Sequence, residues 1–139
     1  MEVLRITTTR KQEMLDITPH LRELVKEKGW REGILFLFCP HTTGGIAINE
    51  NYDPTVKEDI LNKLEELVPS KGQYLHREGN AHAHIKSCLV GIQQAVLVHN
   101  GELALGTWQG VFFCEWDGPR QRQIWVKFHE DNRGKPEGV

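Results

Sequence analysis

No run of about 18 apolar residues occurs in this sequence, so no segment has the composition of a membrane-crossing helix. The opening stretch MEVLRITTTR lacks the apolar core of an export signal, and a cytoplasmic protein is expected. Cysteine is scarce. Cys39, Cys88 and Cys114 are odd in number and form no CxxC pair, so neither a disulfide framework nor a zinc ribbon is expected. All three have apolar neighbours and read as buried free thiols, the reduced state that suits the cytosol. Positive charge is not in excess either. Seventeen Lys and Arg against 19 Asp and Glu give a net charge of −2, with no basic run, which argues against nucleic acid or a membrane surface as partner. The P-loop, the GxGxxG fingerprint, HExxH and the GxSxG elbow are absent.

What is present is an ordinary globular composition, 39% apolar and 26% charged, over 139 residues, read as one domain spanning 1–139. Residues 2–9 alternate and are β-branched, which predicts a strand, with 12–17 as its hairpin partner. Thr18-Pro19 reads as an N-cap followed by proline, opening a helix that Gly29 ends. The run ILFLFC (34–39) predicts a strand buried on both faces, and 45–49 a further strand. Asp53-Pro54 caps a helix with apolar residues at 56, 60, 64 and 67, ended by Pro69. A polar loop covers 69–79, and 80–90 reads as a short helix closed by Gly91. From residue 93 the pattern is strands only. A type I′ hairpin turns at Asn100-Gly101, and a charged hairpin turn at Asp117-Gly118-Pro119 joins 110–116 to 122–128. The tail after Glu130 is polar. Strands outnumber helices, which points to an α+β fold with antiparallel sheets in a sandwich and helices at the side.

Seven histidines are the unusual count, and the polar clusters lie around them. His41, in Pro40-His41-Thr42-Thr43-Gly44-Gly45 at a strand end, suits a metal ligand or general base, or is simply part of a turn. Asn49-Glu50-Asn51-Tyr52-Asp53 bunches polar groups where a strand meets a helix N-terminus, which favours an anion. Capping alone explains Asp53, whereas Glu50 has no local partner and is the preferred general acid/base. Around His76, His82 and His84, a helix points the last two about 200° apart. His84 is chosen as the inward one because Asn80, His84 and Cys88 share a face. In Gly106-Thr107-Trp108-Gln109-Gly110, Thr107 and Gln109 offer hydrogen bonds and Trp108 a stacking surface, unless Trp108 is a core residue beside a bulge. Glu115, among apolar neighbours in a strand, requires a metal or histidine partner. At the charged turn, Arg120 or Arg122 is placed to meet a phosphate.

The segments HTTGGIAINEN (41–51), DPTVKEDI (53–60), EGNAHAHIKSCLVG (78–91) and NGELALGTWQGVFFCEWDGPR (100–120) together resemble the YjbQ-like family over almost the whole chain. The resemblance implies a seven-stranded antiparallel β-sandwich with about three flanking helices, assembled as a homotrimer. It also implies secondary thiamine phosphate synthase activity, which joins hydroxymethylpyrimidine pyrophosphate to a thiazole phosphate and releases pyrophosphate. His82 lies outside the shared HIKS segment, and Cys88 stands where the family pattern has serine.

On this basis His41, His76 and His84 are expected to hold a divalent metal. Zinc is favoured by the nitrogen donors, with magnesium as the oxygen-preferring alternative. Glu50, Asn51 and Glu115 form the expected catalytic set. Thr42, Thr43, Asn49, Asp53, Lys86, Thr107, Trp108, Gln109 and Arg120 are the expected contacts to a small, phosphorylated substrate. The alternatives are a metal-dependent hydrolase with Glu50 as its base, and a non-catalytic binding trimer.

Overall fold

The computed structural model describes residues 1–132, so the expectation for the polar tail lies largely outside the described residues. Its elements follow in chain order. They are β1 (Glu2–Thr7), β2 (Glu13–Asp16), α1 (Thr18–Lys28), β3 (Gly33–Phe38), β4 (Gly44–Glu50) and α2 (Pro54–Leu67), then α3 (Ala81–Val90), β5 (Gln93–His99), β6 (Glu102–Leu103), β7 (Gln109–Glu115) and β8 (Gln121–Glu130). Eight strands, rather than seven, form two antiparallel sheets, ordered β1-β8-β3-β5-β6 and β2-β7-β4. The predicted Asn100-Gly101 turn is present, with both residues at positive φ (53° and 78°), and it leads into the two-residue β6.

Three expectations are corrected. Segment 12–17 does not pair with β1; β2 lies against β7, with Met14 opposite Cys114, and so belongs to the other sheet. Asp117-Gly118-Pro119 is not a hairpin turn, because β7 and β8 sit in different sheets and the segment crosses between them. Its Gly118 is required by close approach: a Cβ there would lie 2.2 Å from the Arg10 carbonyl oxygen. The third correction concerns ILFLFC, whose strand is covered on one face only. Leu35 and Leu37 are buried, while Phe36 and Phe38 are 51% and 37% exposed.

The molecule is layered. Ile6, Leu35, Leu37, Val96, Val98, Ile124 and Val126 of the five-stranded sheet meet Ile46, Val111 and Phe113 of the other sheet, with Leu21 and Val25 of α1 closing the core. The opposite face of the three-stranded sheet, through Met14, Phe112, Cys114 and Trp116, packs on Ala83 of α3 and on Ile60, Leu61 and Leu64 of α2. This double cover makes β7 the central strand, buried at every residue from Gly110 to Glu115. Cys39 and Cys114 are buried free thiols as expected, but Cys88 is exposed on α3.

Helix ends follow their local chemistry. Asp53 caps α2 by accepting from the Thr55 N–H at 2.9 Å. At α1 the cap position is Ile17, not Thr18, and Asp16 instead receives the Thr18 N–H and hydroxyl at 2.9 and 2.6 Å. Gly29 closes α1 in the left-handed region at φ 65°.

A buried polar network fixes α3. Lys86 is fully buried, and its Nζ donates to Gln12 Oε1 (2.9 Å) and Glu65 Oε1 (2.8 Å) and lies 2.9 Å from His82 Nδ1, which uses all three ammonium protons. Burial would raise the Glu65 carboxyl, but hydrogen bonds from Lys86, Ser70 and Gln12 outweigh it and hold the group well below its usual range. Burial, then the Lys86 charge, lowers His82, which stays neutral. Asp117 behaves like Glu65. Burial raises it, yet hydrogen bonds from Asn80, Lys11 and Arg120 bring it to about 2.

Two outcomes follow. Lys86→Met strands Glu65 and His82 and lowers unfolding free energy by about 2 kcal/mol or more, read by denaturant titration. Glu65 and Asp117 have folded values below their ordinary 4.5 and 3.8, so the unfolded chain takes up protons first on acidification. Their stabilisation is complete above about pH 4.5 and is lost as the pH falls toward 2, so the thermal unfolding midpoint drops through that window.

Candidate functional site

The motif residues gather at the two ends of the β4–β7 pair. At the end where Gly44 faces Glu115, the centre is an ion pair, with Glu115 fully buried and the Arg122 side chain 5% exposed. Arg122 donates to Glu115 through Nε (2.9 Å) and Nη2, and Nη2 also reaches Thr43 Oγ1 at 2.8 Å. The carboxylate further accepts from the Thr8 hydroxyl (2.7 Å) and the Asp117 N–H (3.1 Å). The partner Glu115 was expected to need is therefore a guanidinium, neither metal nor histidine. Its lone pairs are consumed, and as a catalytic group it has no opening to substrate.

Beside this pair a cavity of about 310 Å³ is lined by Arg5, Thr7, His41, Gln121, Arg122 and Gln123. His41 stands at its wall because its Nε2 accepts the Gln123 N–H at 2.9 Å, leaving Nδ1 as the protonated, donating nitrogen. Burial, then the neighbouring Arg122 charge, lowers the imidazole below its ordinary range. The exposed Arg5 side chain contributes a second cation. Hollows of about 400 and 530 Å³ lie beside α1 and along the β3–β5 pair, lined by none of the expected site residues.

His76 and His84 do meet, with ring centroids 5.2 Å apart at 83°. His41 does not join them, because its ring is turned to the β8 backbone. Among the described residues no group of three His, Cys, Asp or Glu is placed to hold a metal, so the three-imidazole centre does not fit one protomer. The inward histidine of α3 is His82, 1% exposed, while His84 is half-buried and Cys88 exposed. The α3 face toward the sheet and α2 runs through 82, 83, 86 and 87, not through 80, 84 and 88.

Lys86, expected on substrate, is committed to the network under α3. Arg120 is half exposed and donates to Asp117 Oδ2 at 2.9 Å. Thr43 is buried against Arg122, and Thr42 is exposed beside it.

The second group sits at the opposite end of β4, where Glu50 faces Gln109. Asn51 donates its N–H to the Trp108 carbonyl (2.9 Å) and its Nδ2 to Asp16 (3.3 Å), and Gly110 leaves room for it, since a Cβ there would meet Asn51 Nδ2 at 2.4 Å. Tyr52 and Trp108, 76% and 55% exposed, pack edge to face at 5.1 Å. Trp108 is therefore a surface aromatic, not a core residue. Asn49 accepts from the Glu50 N–H, and Gln109 accepts from the Gly106 N–H. Thr107 is exposed, Asp53 is occupied as the α2 cap, and Glu50 makes no ion pair among the described residues. Gly44 to Glu50 at about 3.3 Å per residue separates the two ends by roughly 20 Å. The expected convergence of His41, Glu50, Asn51 and Trp108 in one cavity does not occur within the chain.

Sequence reasoning passed over Arg5, Thr8, Gln121 and Gln123. Arg5 carried a signal, since a cation at the third position of a strand that alternates from Val3 must share the outer face. Thr8 carried none, because its role depends on Glu115, 107 positions away.

The model of the family described as UPF0047 protein YjbQ-like matches residues 2–131. UPF0047 protein MJ1081 of Methanocaldococcus jannaschii is 48% identical over 127 residues, covering 91% of this chain and 92% of that protein. UPF0047 protein YugU of Bacillus subtilis is also 48% identical, over 91% of this chain and 97% of its own length. A crystal structure of an uncharacterized YjbQ/UPF0047 protein from Clostridium acetobutylicum superposes with a TM-score of 0.90 at 46% identity, covering 93% of this chain and all of the other. A YbjQ-like protein of unknown function from Sulfolobus solfataricus gives 0.88 at 34% identity, covering 94% and 96%. With the family model matched over residues 2–131 and the fold superposing at a TM-score of 0.90, the chain belongs to the YjbQ-like UPF0047 family.

Proposed function

We propose that the protein is a transferase acting on a small phosphorylated substrate, of the thiamine phosphate synthase type. The observation that carries this reading is the cavity in which the Arg5 charge and the His41 Nδ1–H come together beside Arg122. In that reaction the C–O bond to the diphosphate breaks while the thiazole nitrogen lone pair forms the new C–N bond. Negative charge therefore builds on the departing oxygen, and prepositioned donors stabilise it. His41 serves through Nδ1–H, since Nε2 is engaged. Its lowered affinity for protons leaves it neutral at pH 7, and an entering dianion would raise that affinity. Glu50 and Asn51 as acid/base groups, with Trp108 as a stacking surface for the pyrimidine, form the ring-binding half of the proposal.

A divalent metal, zinc or magnesium, belongs to the proposal only as a ligand of the His76–His84 pair, and no step above runs through it. A homotrimer is supported by the uncovered apolar face of the five-stranded sheet, where Val3, Phe36, Phe38 and Leu97 are exposed. The absence of a helix long and apolar enough to cross a membrane among the described residues, together with the free thiols, is in keeping with a cytoplasmic setting. One observation favours a second reading, a non-catalytic anion-binding module: Glu115, Asp117 and Glu65 at the His41 end are all already paired.

The assay is formation of thiamine phosphate from both precursors by purified protein. His41→Ala and Arg5→Ala should each lower it by about 10-fold or more, Arg5→Ala without moving the unfolding midpoint and His41→Ala with a loss of about 1 kcal/mol from the Gln123 N–H it leaves unpaired. If the wild type makes no product but binds pyrophosphate in a His41-dependent way, the module reading replaces the transferase. Glu115→Gln should instead cost about 3–5 kcal/mol of stability by unpairing Arg122, with activity per folded molecule retained. A fully stable, inactive Glu115→Gln would return Glu115 to the catalytic set.

A further inference from the structure

The two motif groups lie at opposite ends of one strand pair, and each is incomplete. The His41 end has donors and cations, while the carboxylates of Glu115 and Asp117 beside it are already paired and Glu13 is bound by Thr9. The Glu50 end has a carboxylate and two exposed aromatics but none of the cations that line the His41 cavity. We propose that the site is composite: the Glu50–Tyr52–Trp108 end of one protomer seats on the Arg5–His41 cavity of a neighbouring copy. This rests on the reading of the protein as a small-molecule transferase that assembles as a trimer, and it deepens that reading by naming the surfaces that meet.

Three observations specify a second copy as the occupant. The first is charge. Arg5 and Arg10 are exposed at the His41 end, where Lys11 and Arg120 share the single carboxylate of Asp117, whereas Asp16, Glu50 and Asp53 surround the aromatic end, with Lys57 the cation closest in sequence. The second is the aromatic pair itself. Tyr52 at 76% and Trp108 at 55% exposure present apolar surface at a chain's edge with nothing covering it, and such aromatics are enriched in interface cores. The third is continuity. Val3, Trp125 and Phe38 form one row across β1, β8 and β3, and Arg5 opposite Gln123 is the next row on the same face. Phe38 stacks on Trp125 at 5.8 Å. The cavity thus lies at the border of the apolar sheet face, and burying that face would bring a neighbour to its rim.

The geometry of the association follows. Two different patches on one chain, roughly 20 Å apart along β4, can meet across a two-fold axis or head to tail around a ring, and the trimeric reading selects the ring. A closed head-to-tail ring of three gives every protomer both roles and produces three identical sites. A diphosphate held by Arg5 and His41 of one copy would then have its attached ring against Trp108 of the next, with Glu50 beside it.

The test reads geometry alone and needs no activity. In a Cys88→Ser background, Thr42→Cys and Tyr52→Cys are introduced singly and together at exposed positions, and the native assembly is treated with a short bismaleimide. The double variant should run on a denaturing gel as covalent dimers and trimers, with each single variant remaining monomeric. Linkage in either single variant, dimers as the end product, or no linkage in the double variant overturns the composite site. Hydrogen exchange on the wild type provides a second measurement free of folding artefacts. Amides at 49–52 and 106–109 should slow together with those at 5–7 and 121–123 as protein concentration rises through assembly. Slowing at one end only overturns the proposal, while catalysis in the thiamine phosphate assay would leave the transferase reading standing.

Discussion

The Glu115–Arg122 pair is the constraint on which the rest of the architecture turns. It joins the central strand of the three-stranded sheet to β8 of the other, and through Thr8 and Thr43 it also ties down the end of β1 and the loop that carries His41. A buried carboxylate and a buried guanidinium are each costly alone, and they become tolerable together because the fork geometry and two further hydrogen bonds satisfy the carboxylate oxygens. The pair also closes one wall of the His41 cavity with a guanidinium whose charge Glu115 neutralises. One interaction therefore sets both the relative placement of the sheets and the shape of the candidate site.

A second ion pair, between fully buried Lys86 and part-exposed Glu65, does for the helical layer what Glu115–Arg122 does for the sheets. It holds α3 against α2 and the β1–β2 connection, and it pins His82 in its neutral form. Between them the two networks absorb several charged and imidazole groups that looked available for chemistry. What remains outside them at the His41 end is a small cavity with Arg5 and the His41 imidazole on its wall.

Local signals were legible where the physics is local. Asp53-Pro54, Gly29 and Asn100-Gly101 each specify a backbone geometry with neighbouring residues alone, and each stands where it was expected. Misreadings arose where a partner is distant. Residues 13–16 form a strand as their pattern implies, but whether they pair with β1 or β7 depends on how two sheets pack. Leu35 and Phe36 are equally apolar in the chain, and only the stacking of layers buries one and exposes the other. On α3 the helix was legible but its orientation was not. Asn80 spends its side chain on Asp117, and the inward face passes through His82 and Lys86.

The family and its segments, the α+β class, the Asp53 and Gly29 caps and the Asn100-Gly101 hairpin were written in the order of residues, because propensity, capping and turn geometry act over a few positions. Which motif residues share a site was decided by tertiary structure. A seven-residue strand carries the HTT and NEN segments to opposite ends, and the partner of Glu115 arrives from the next strand of a different sheet. Burial of a charged group is a property of what surrounds it in space. A chain read in order names the carboxylate and the guanidinium, but only the packed layers bring them within a hydrogen bond and remove them from the chemistry.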